Sequence, residues 1–170
     1  MIEFKLGDIV RLKTWEELIA QFKSKDNKPK GTGRNQRIYI PKGYDGDYTG
    51  GYGFAYKADI DQFGGSIFYI HDKDFLDKQS GKDYFTICDR DIDFPKNCFE
   101  IYNEYKKDIG KERYCIDRDY SVVCGKVVGF GDKYVWIYLE DNQKCILNFA
   151  HEVFKTEKEA KIYFEITNED

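Results

Sequence analysis

The clearest hydrophobic pattern lies in the last third of the chain, where three apolar runs of strand length alternate with short polar joints. The runs are residues 121–130, 133–139 and 144–149. Joints of two and four residues between runs of this length predict an antiparallel β meander. Similar runs at residues 4–12, 66–70 and 83–88 predict further strands.

The middle run of this meander separates two kinds of apolar side chain, because successive residues of a strand point to opposite faces. One face carries Val135, Ile137 and Leu139, and the other carries Tyr134, Trp136 and Tyr138. A strand that is apolar on both faces needs a cover on both. We therefore expect the aliphatic face to line a small core. The aromatic face either packs within the chain or meets a partner.

Two capping boxes predict short helices beside these strands. In the first, Thr14 precedes Glu17 at the start of residues 15–22, and in the second Thr156 precedes Glu159. The composition agrees with a mainly β (α+β) fold, because 17% of the residues are aromatic and only three are proline.

The opening FKLGDIVRLKTWEEL, residues 4–18, resembles the start of SH3-like barrels. It is also similar to the openings of small uncharacterised proteins of bacteriophages and mobile elements of Gram-positive bacteria. Residues 94–100 resemble the closing segment of such barrels, and residues 154–160 resemble a tail common in the same group. The resemblance implies two small SH3-like antiparallel β units with short capping helices, and it implies no activity. We expect one unit at residues 1–104, a charged and partly helical connector at 105–120, and the second unit at 121–170.

Glycine and tyrosine alternate in residues 43–56, GYDGDYTGGYGFAY. Glycine lets the backbone turn freely, and tyrosine supplies contact area with few rotamers to restrict, as in antibody-like loops. We expect the rings to face water, because the two units have enough aliphatic residues to fill their cores; the alternative is a hairpin whose tyrosines pack inward. The predicted partner-binding residues are Tyr44, Asp45, Asp47, Tyr48, Tyr52, Phe54 and Tyr56.

A basic segment, residues 23–42, precedes this loop and carries seven basic side chains against the single Asp26. It predicts either a solvated surface loop or a nucleic-acid contact. For the nucleic-acid alternative, the binding residues are Lys28, Lys30, Arg34 and Arg37. The aspartates of the glycine/tyrosine loop would repel phosphates, so that loop itself indicates a protein partner.

Candidate catalytic groups are few. The only histidines are His71 and His151, and thiol dyads can be drawn from Cys88 with His71 or from Cys145 with His151. No flanking pattern supports either dyad. Five cysteines without a CxxC pair indicate reduced thiols rather than a disulfide framework or a zinc site. We expect no cofactor and no metal, and the sequence favours a non-enzymatic module.

No run of eighteen apolar residues and no signal peptide are present, so we expect a cytoplasmic protein without a membrane segment. Residues 44–100 carry twelve acidic and six basic side chains within a chain of net charge -4. We expect a macromolecule-binding protein, of phage or mobile-element origin, that inhibits a nucleic-acid-targeting host-defence complex in the manner of an anti-CRISPR protein. The first alternative is a module that binds RNA or single-stranded nucleic acid. The second is a small nuclease or thiol hydrolase.

Overall fold

A computed structural model describes residues 4–41, 53–71, 84–87, 92–105 and 108–167. The chain divides into two compact units. The first consists of Met1–Ile87 and Asp91–Tyr105, and the second of Cys88–Arg90 and Lys106–Asp170. The described strands pair antiparallel and short helices accompany them, which confirms the mainly β (α+β) class. The SH3-like closure of each unit stays a prediction.

The described residues of the first unit form seven short strands. They are β1 Ile9–Leu12, β2 Arg37–Tyr39, β3 Phe54–Tyr56, β4 Ile67–Tyr69, β5 Tyr84–Ile87, β6 Ile92–Pro95 and β7 Phe99–Ile101. Strand β1 lies between β4 and β7, with Ile9 opposite Tyr69 and Leu12 opposite Phe99. Strands β2 and β3 form a second antiparallel pair, and β5 and β6 form a third.

Helix α1, Trp15–Phe22, begins at the predicted capping box. The Thr14 hydroxyl accepts from the Glu17 amide at 3.3 Å, and the Glu17 carboxylate accepts from the Thr14 amide at 3.2 Å. Arg11 on β1 donates to the same carboxylate at 2.7 Å and to Glu100 on β7 at 2.9 Å. The hydrogen bond from Arg11 lowers the pKa of Glu17 to about 2. Through these two ion pairs the guanidinium of Arg11 on β1 connects helix α1 with strand β7.

The core of the first unit is more aromatic than we expected from the sequence. The Phe99 ring lies edge-on to three other rings, Phe68 at 6.3 Å, Phe85 at 4.8 Å and Phe94 at 6.2 Å between centroids. All four rings are buried. A second helix that the sequence did not predict, α2 Lys57–Phe63, follows β3 and buries its own Phe63. Aliphatic residues alone therefore do not fill this unit.

The second unit contains the predicted meander. Its elements are β8 Glu112–Ile116, β9 Val122–Phe130, β10 Tyr134–Leu139, β11 Lys144–Phe149 and helix α3 Glu157–Thr167. The strands pair in chain order, each antiparallel to the next. The three predicted runs correspond to β9, β10 and β11, which confirms that interpretation.

Strand β8 corrects the expected connector at residues 105–120. Its register on β9 runs from Glu112 opposite Lys126 to Ile116 opposite Val122. Only Cys115 of β8 is fully buried, while Glu112 at its end is exposed. A strand at the edge of a sheet keeps charged residues on its exposed side, so its sequence does not look like a strand. Residues 112–116 of the expected connector are therefore part of the sheet and not of a partly helical linker.

The faces of β10 follow the predicted division. Ile137 and Leu139 belong to a buried aliphatic cluster that also contains Cys115, Val127 and Ile146. On the other face Trp136 is fully buried and its two tyrosine neighbours are half-buried. Helix α3 packs on β8 and β9, and its buried residue is Ala160. Among the described residues, no helix combines the length and the apolar character needed to cross a membrane.

Candidate functional site

The predicted recognition segment is joined to the first unit through β2 and β3. Five of its seven predicted contact residues, Tyr44, Asp45, Asp47, Tyr48 and Tyr52, lie outside the described residues. The other two are on β3, with Phe54 opposite Tyr39 and Tyr56 opposite Arg37. The predicted glycine/tyrosine loop therefore lies in the sequence between two strands that pair antiparallel.

Where this loop meets the strands, the backbone is tightly packed. We call Tyr39, Ile40, Gly53 and Phe54 the loop base. The Ile40 amide donates to the Gly53 carbonyl, and the Phe54 ring lies edge-on to Tyr39 with centroids 5.6 Å apart. A side chain at Gly53 would overlap the Tyr39 ring, so only glycine fits there. Tyr39 and Ile40 are buried, which makes the loop base part of the core.

Two asparagine side chains hold the strand that enters the loop. The Asn27 amide nitrogen donates to the Tyr39 carbonyl at 2.8 Å and to the Phe22 carbonyl at 3.0 Å, and its side chain is buried. The Asn97 amide nitrogen donates to the Pro41 carbonyl at 2.6 Å. Buried carbonyls that lose such donors are costly. The two asparagines therefore fix the strand that leads into residues 42–52, and the sequence did not single them out.

The two described aromatic residues of the predicted site have different surroundings. The Phe54 ring is half-buried beneath the Arg37 guanidinium, whose carbon lies 5.4 Å from the ring centroid. The Phe54 ring therefore packs against Arg37 and Tyr39 of the neighbouring strand β2. Tyr56 is 38% exposed. Of the two, Tyr56 is the residue that presents ring surface to solvent.

The four basic residues of the nucleic-acid alternative are brought together by one turn. Lys30 and Arg37 exchange backbone hydrogen bonds of 2.8 and 2.9 Å around it. Lys28, Lys30 and Arg34 are exposed, whereas Arg37 is half-buried. Arg34 lies near Asp59 on α2, where burial raises the pKa of the carboxyl and the Arg34 charge partly opposes that rise. The turn thus places three accessible cations beside the β2–β3 hairpin.

The structure limits the candidate thiol chemistry at three cysteines. Cys145 is disulfide-bonded, which corrects the expectation of a reduced thiol and removes the nucleophile of the dyad with His151. Burial raises the pKa of Cys115 to about 11 and also raises that of Cys98, so neither thiol ionises readily. Cys88 of the other dyad lies outside the described residues. Within the described part of the chain, no three His, Cys, Asp or Glu residues are placed to hold a metal ion.

Comparison with known proteins adds no relative. No family model, curated protein or solved structure matches the chain. The resemblance to SH3-like proteins of phages and mobile elements therefore stays a prediction, and the functional argument rests on the residues of the β2–β3 hairpin.

Proposed function

We propose that the protein is a non-enzymatic module that binds a protein partner through residues 42–56. The observation that carries the proposal is the loop base. Asn27 and Asn97 hold the entering strand by hydrogen bonds of 2.8 and 2.6 Å, and Gly53 packs on the Tyr39 ring at the exit. A loop whose two ends are fixed loses less conformational entropy when it binds.

The chemistry of the loop indicates the class of partner. Its tyrosines supply large contact surfaces with few rotamers, and its glycines let the rings reach different orientations. Asp45 and Asp47 add negative charge between the rings. Carboxylates repel phosphate and attract lysine and arginine, so a basic protein surface is the complementary partner.

The proposed target is a host-defence complex that acts on nucleic acid. Such a complex contains a groove lined with lysine and arginine, and an acidic, tyrosine-rich loop can occupy that groove in place of nucleic acid. The resemblance to phage and mobile-element proteins supports a host target. On this proposal the protein acts as an inhibitor by occupying the groove, and it needs no catalytic residue, metal or cofactor.

Affinity capture from a bacterial host lysate tests the proposal. Replacing Asp45, Asp47, Tyr48 and Tyr52 together by serine should abolish capture of the protein that the wild type retains. A matched control replaces Tyr102, Asp119, Tyr120 and Asp132, exposed residues of the same two types elsewhere, by serine. The control should retain the same protein. Equal capture by the loop variant and the wild type would contradict the proposal.

A further inference from the structure

A second surface of the first unit carries charge that the proposed function does not use. Lys23, Lys25, Lys28 and Lys30 are all exposed, and none forms an ion pair with a carboxylate in the described part of the chain. Elsewhere in the same unit, Arg11 and Lys57 have carboxylate partners at 2.7 and 2.5 Å. Exposed cations that outnumber the acidic residues of their segment, here four lysines and Asp26, are the electrostatic footprint of a polyanion-binding surface.

The backbone that carries these lysines is held in place. The Ser24 amide donates to the Asn27 carbonyl at 2.9 Å, and the Asn27 amide donates to the Ser24 hydroxyl at 3.1 Å. Gly31 has φ +77°, and a side chain there would overlap the Asn35 carbonyl. The backbone of this segment therefore forms a defined turn, and its lysine side chains are exposed.

A partly exposed aromatic residue, Tyr56, lies close to Lys30 through backbone pairing. Lys30 exchanges two backbone hydrogen bonds with Arg37, and Arg37 is the cross-strand neighbour of Tyr56. Lys30, Arg37 and Tyr56 thus lie side by side across three consecutive segments of backbone. Because Tyr56 is 38% exposed, its ring is available to stack with a planar group beside the cations.

We propose that this basic face, defined as Lys25, Lys28, Lys30, Arg34 and Tyr56, binds single-stranded nucleic acid. The cations contact backbone phosphates, and Tyr56 stacks on an unpaired base. An unpaired base presents its ring to such a side chain, whereas a duplex keeps its bases stacked, and an acidic peptide or anionic membrane offers no base. The four cations of this face lie outside residues 42–56, and Tyr56 belongs to both surfaces. Binding of nucleic acid goes beyond the function proposed above.

Fluorescence anisotropy with mixed-sequence RNA and DNA strands of about 12 nucleotides tests this proposal. The salt titration runs from about 50 to about 200 mM NaCl. The variant with Lys25, Lys28 and Lys30 changed to glutamine should bind more weakly, and the slope of log K against log salt should fall by about 2, because each phosphate contact on a single strand contributes about 0.7. The matched control changes Lys133, Lys155 and Lys158, exposed lysines of the second unit, to glutamine. It should bind like the wild type.

Two variants of Tyr56 separate the contribution of base stacking to affinity from the contribution of charge. Tyr56→Ala should weaken binding by about 5-fold or more at every salt concentration, and Tyr56→Phe should bind like the wild type, because the ring is kept. Thermal unfolding of each variant verifies that it folds. The proposal is overturned if the wild type does not bind at about 50 mM salt, or if both triple variants bind equally. It is also overturned if duplex DNA, polyglutamate or anionic vesicles displace the strand as well as unlabelled single strand does.

The two proposals fail separately. The serine variant of the loop should retain oligonucleotide binding, and the glutamine variant of the basic face should retain capture of the protein partner. Loss of oligonucleotide binding in the loop variant would place the strand on the loop and overturn the assignment to the basic face.

Discussion

Asn27→Ala removes the side chain that joins the basic segment to the loop base. The wild-type amide nitrogen donates to two carbonyl oxygens, Tyr39 at 2.8 Å and Phe22 at 3.0 Å, and the residue is only 5% exposed. Alanine leaves both carbonyls without this donor. Each lost hydrogen bond costs about 0.5–1.5 kcal/mol, so the free energy of unfolding of the first unit should fall by about 1–3 kcal/mol.

Urea unfolding followed by tryptophan fluorescence in a Trp136→Phe background measures this loss, since Trp15 on α1 is then the one tryptophan of the chain and reports on the first unit. Asn35→Ala is the matched control, because Asn35 lies in the same segment and its side chain is exposed. The control should stay within about 0.5 kcal/mol of the wild type. A loss below about 0.5 kcal/mol for Asn27→Ala would refute the role of Asn27 in holding the loop base.

Asn27→Asp extends the test to pH. The carboxylate would be buried and would face two carbonyl oxygens, so its folded pKa should lie above the unfolded value of about 3.9. Because the folded state then holds its proton more tightly, the destabilisation is largest above the folded pKa and shrinks as the pH falls towards about 4. A loss that is the same at pH values of about 4 and about 7 would contradict this reasoning.

Two further variants test the packing of each unit. Glu17→Gln should lower the free energy of unfolding by about 1 kcal/mol near neutral pH and leave it unchanged near pH 2. The hydrogen bond from Arg11 lowers the pKa of Glu17 from 4.5 to about 2. The stabilisation by the Glu17 carboxylate is therefore present above pH 4.5 and lost as the pH falls through about 2. Urea unfolding at both pH values, with exposed Glu16→Gln as control, measures it; a pH-independent cost would contradict it. Gly125→Ala should cost the second unit about 1–3 kcal/mol, because the added Cβ would lie 2.6 Å from Ile137 Cγ2. Thermal unfolding beside Ser121→Ala gives the comparison, and equal melting temperatures would refute the close packing at Gly125.

The sequence predicted the parts of the fold that local patterns determine. The meander was recognisable because alternation and short polar joints are local signals, and helix α1 because its capping box lies within four residues, from Thr14 to Glu17. Strand β8 and helix α2 were missed. Each is short, and β8 forms because Cys115 packs in a core whose other members are distant in sequence.

The same distinction explains the site. Sequence composition identified residues 43–56 and the basic segment as unusual, but the bonds that fix the loop base join distant residues. Asn27 reaches a carbonyl 12 residues away, and Asn97 reaches one 56 residues away. The aromatic core of the first unit has the same cause, since the Phe85 and Phe99 rings meet only through the fold. Short-range patterns carry no signal for such contacts.

Hydrogen–deuterium exchange of the protein, alone and with its captured partner, tests the central proposal most directly. The account predicts slower exchange in residues 42–56 when the partner is bound, with residues 122–130 of β9 unchanged. Protection confined to the second unit, with unchanged exchange in residues 42–56, would contradict it.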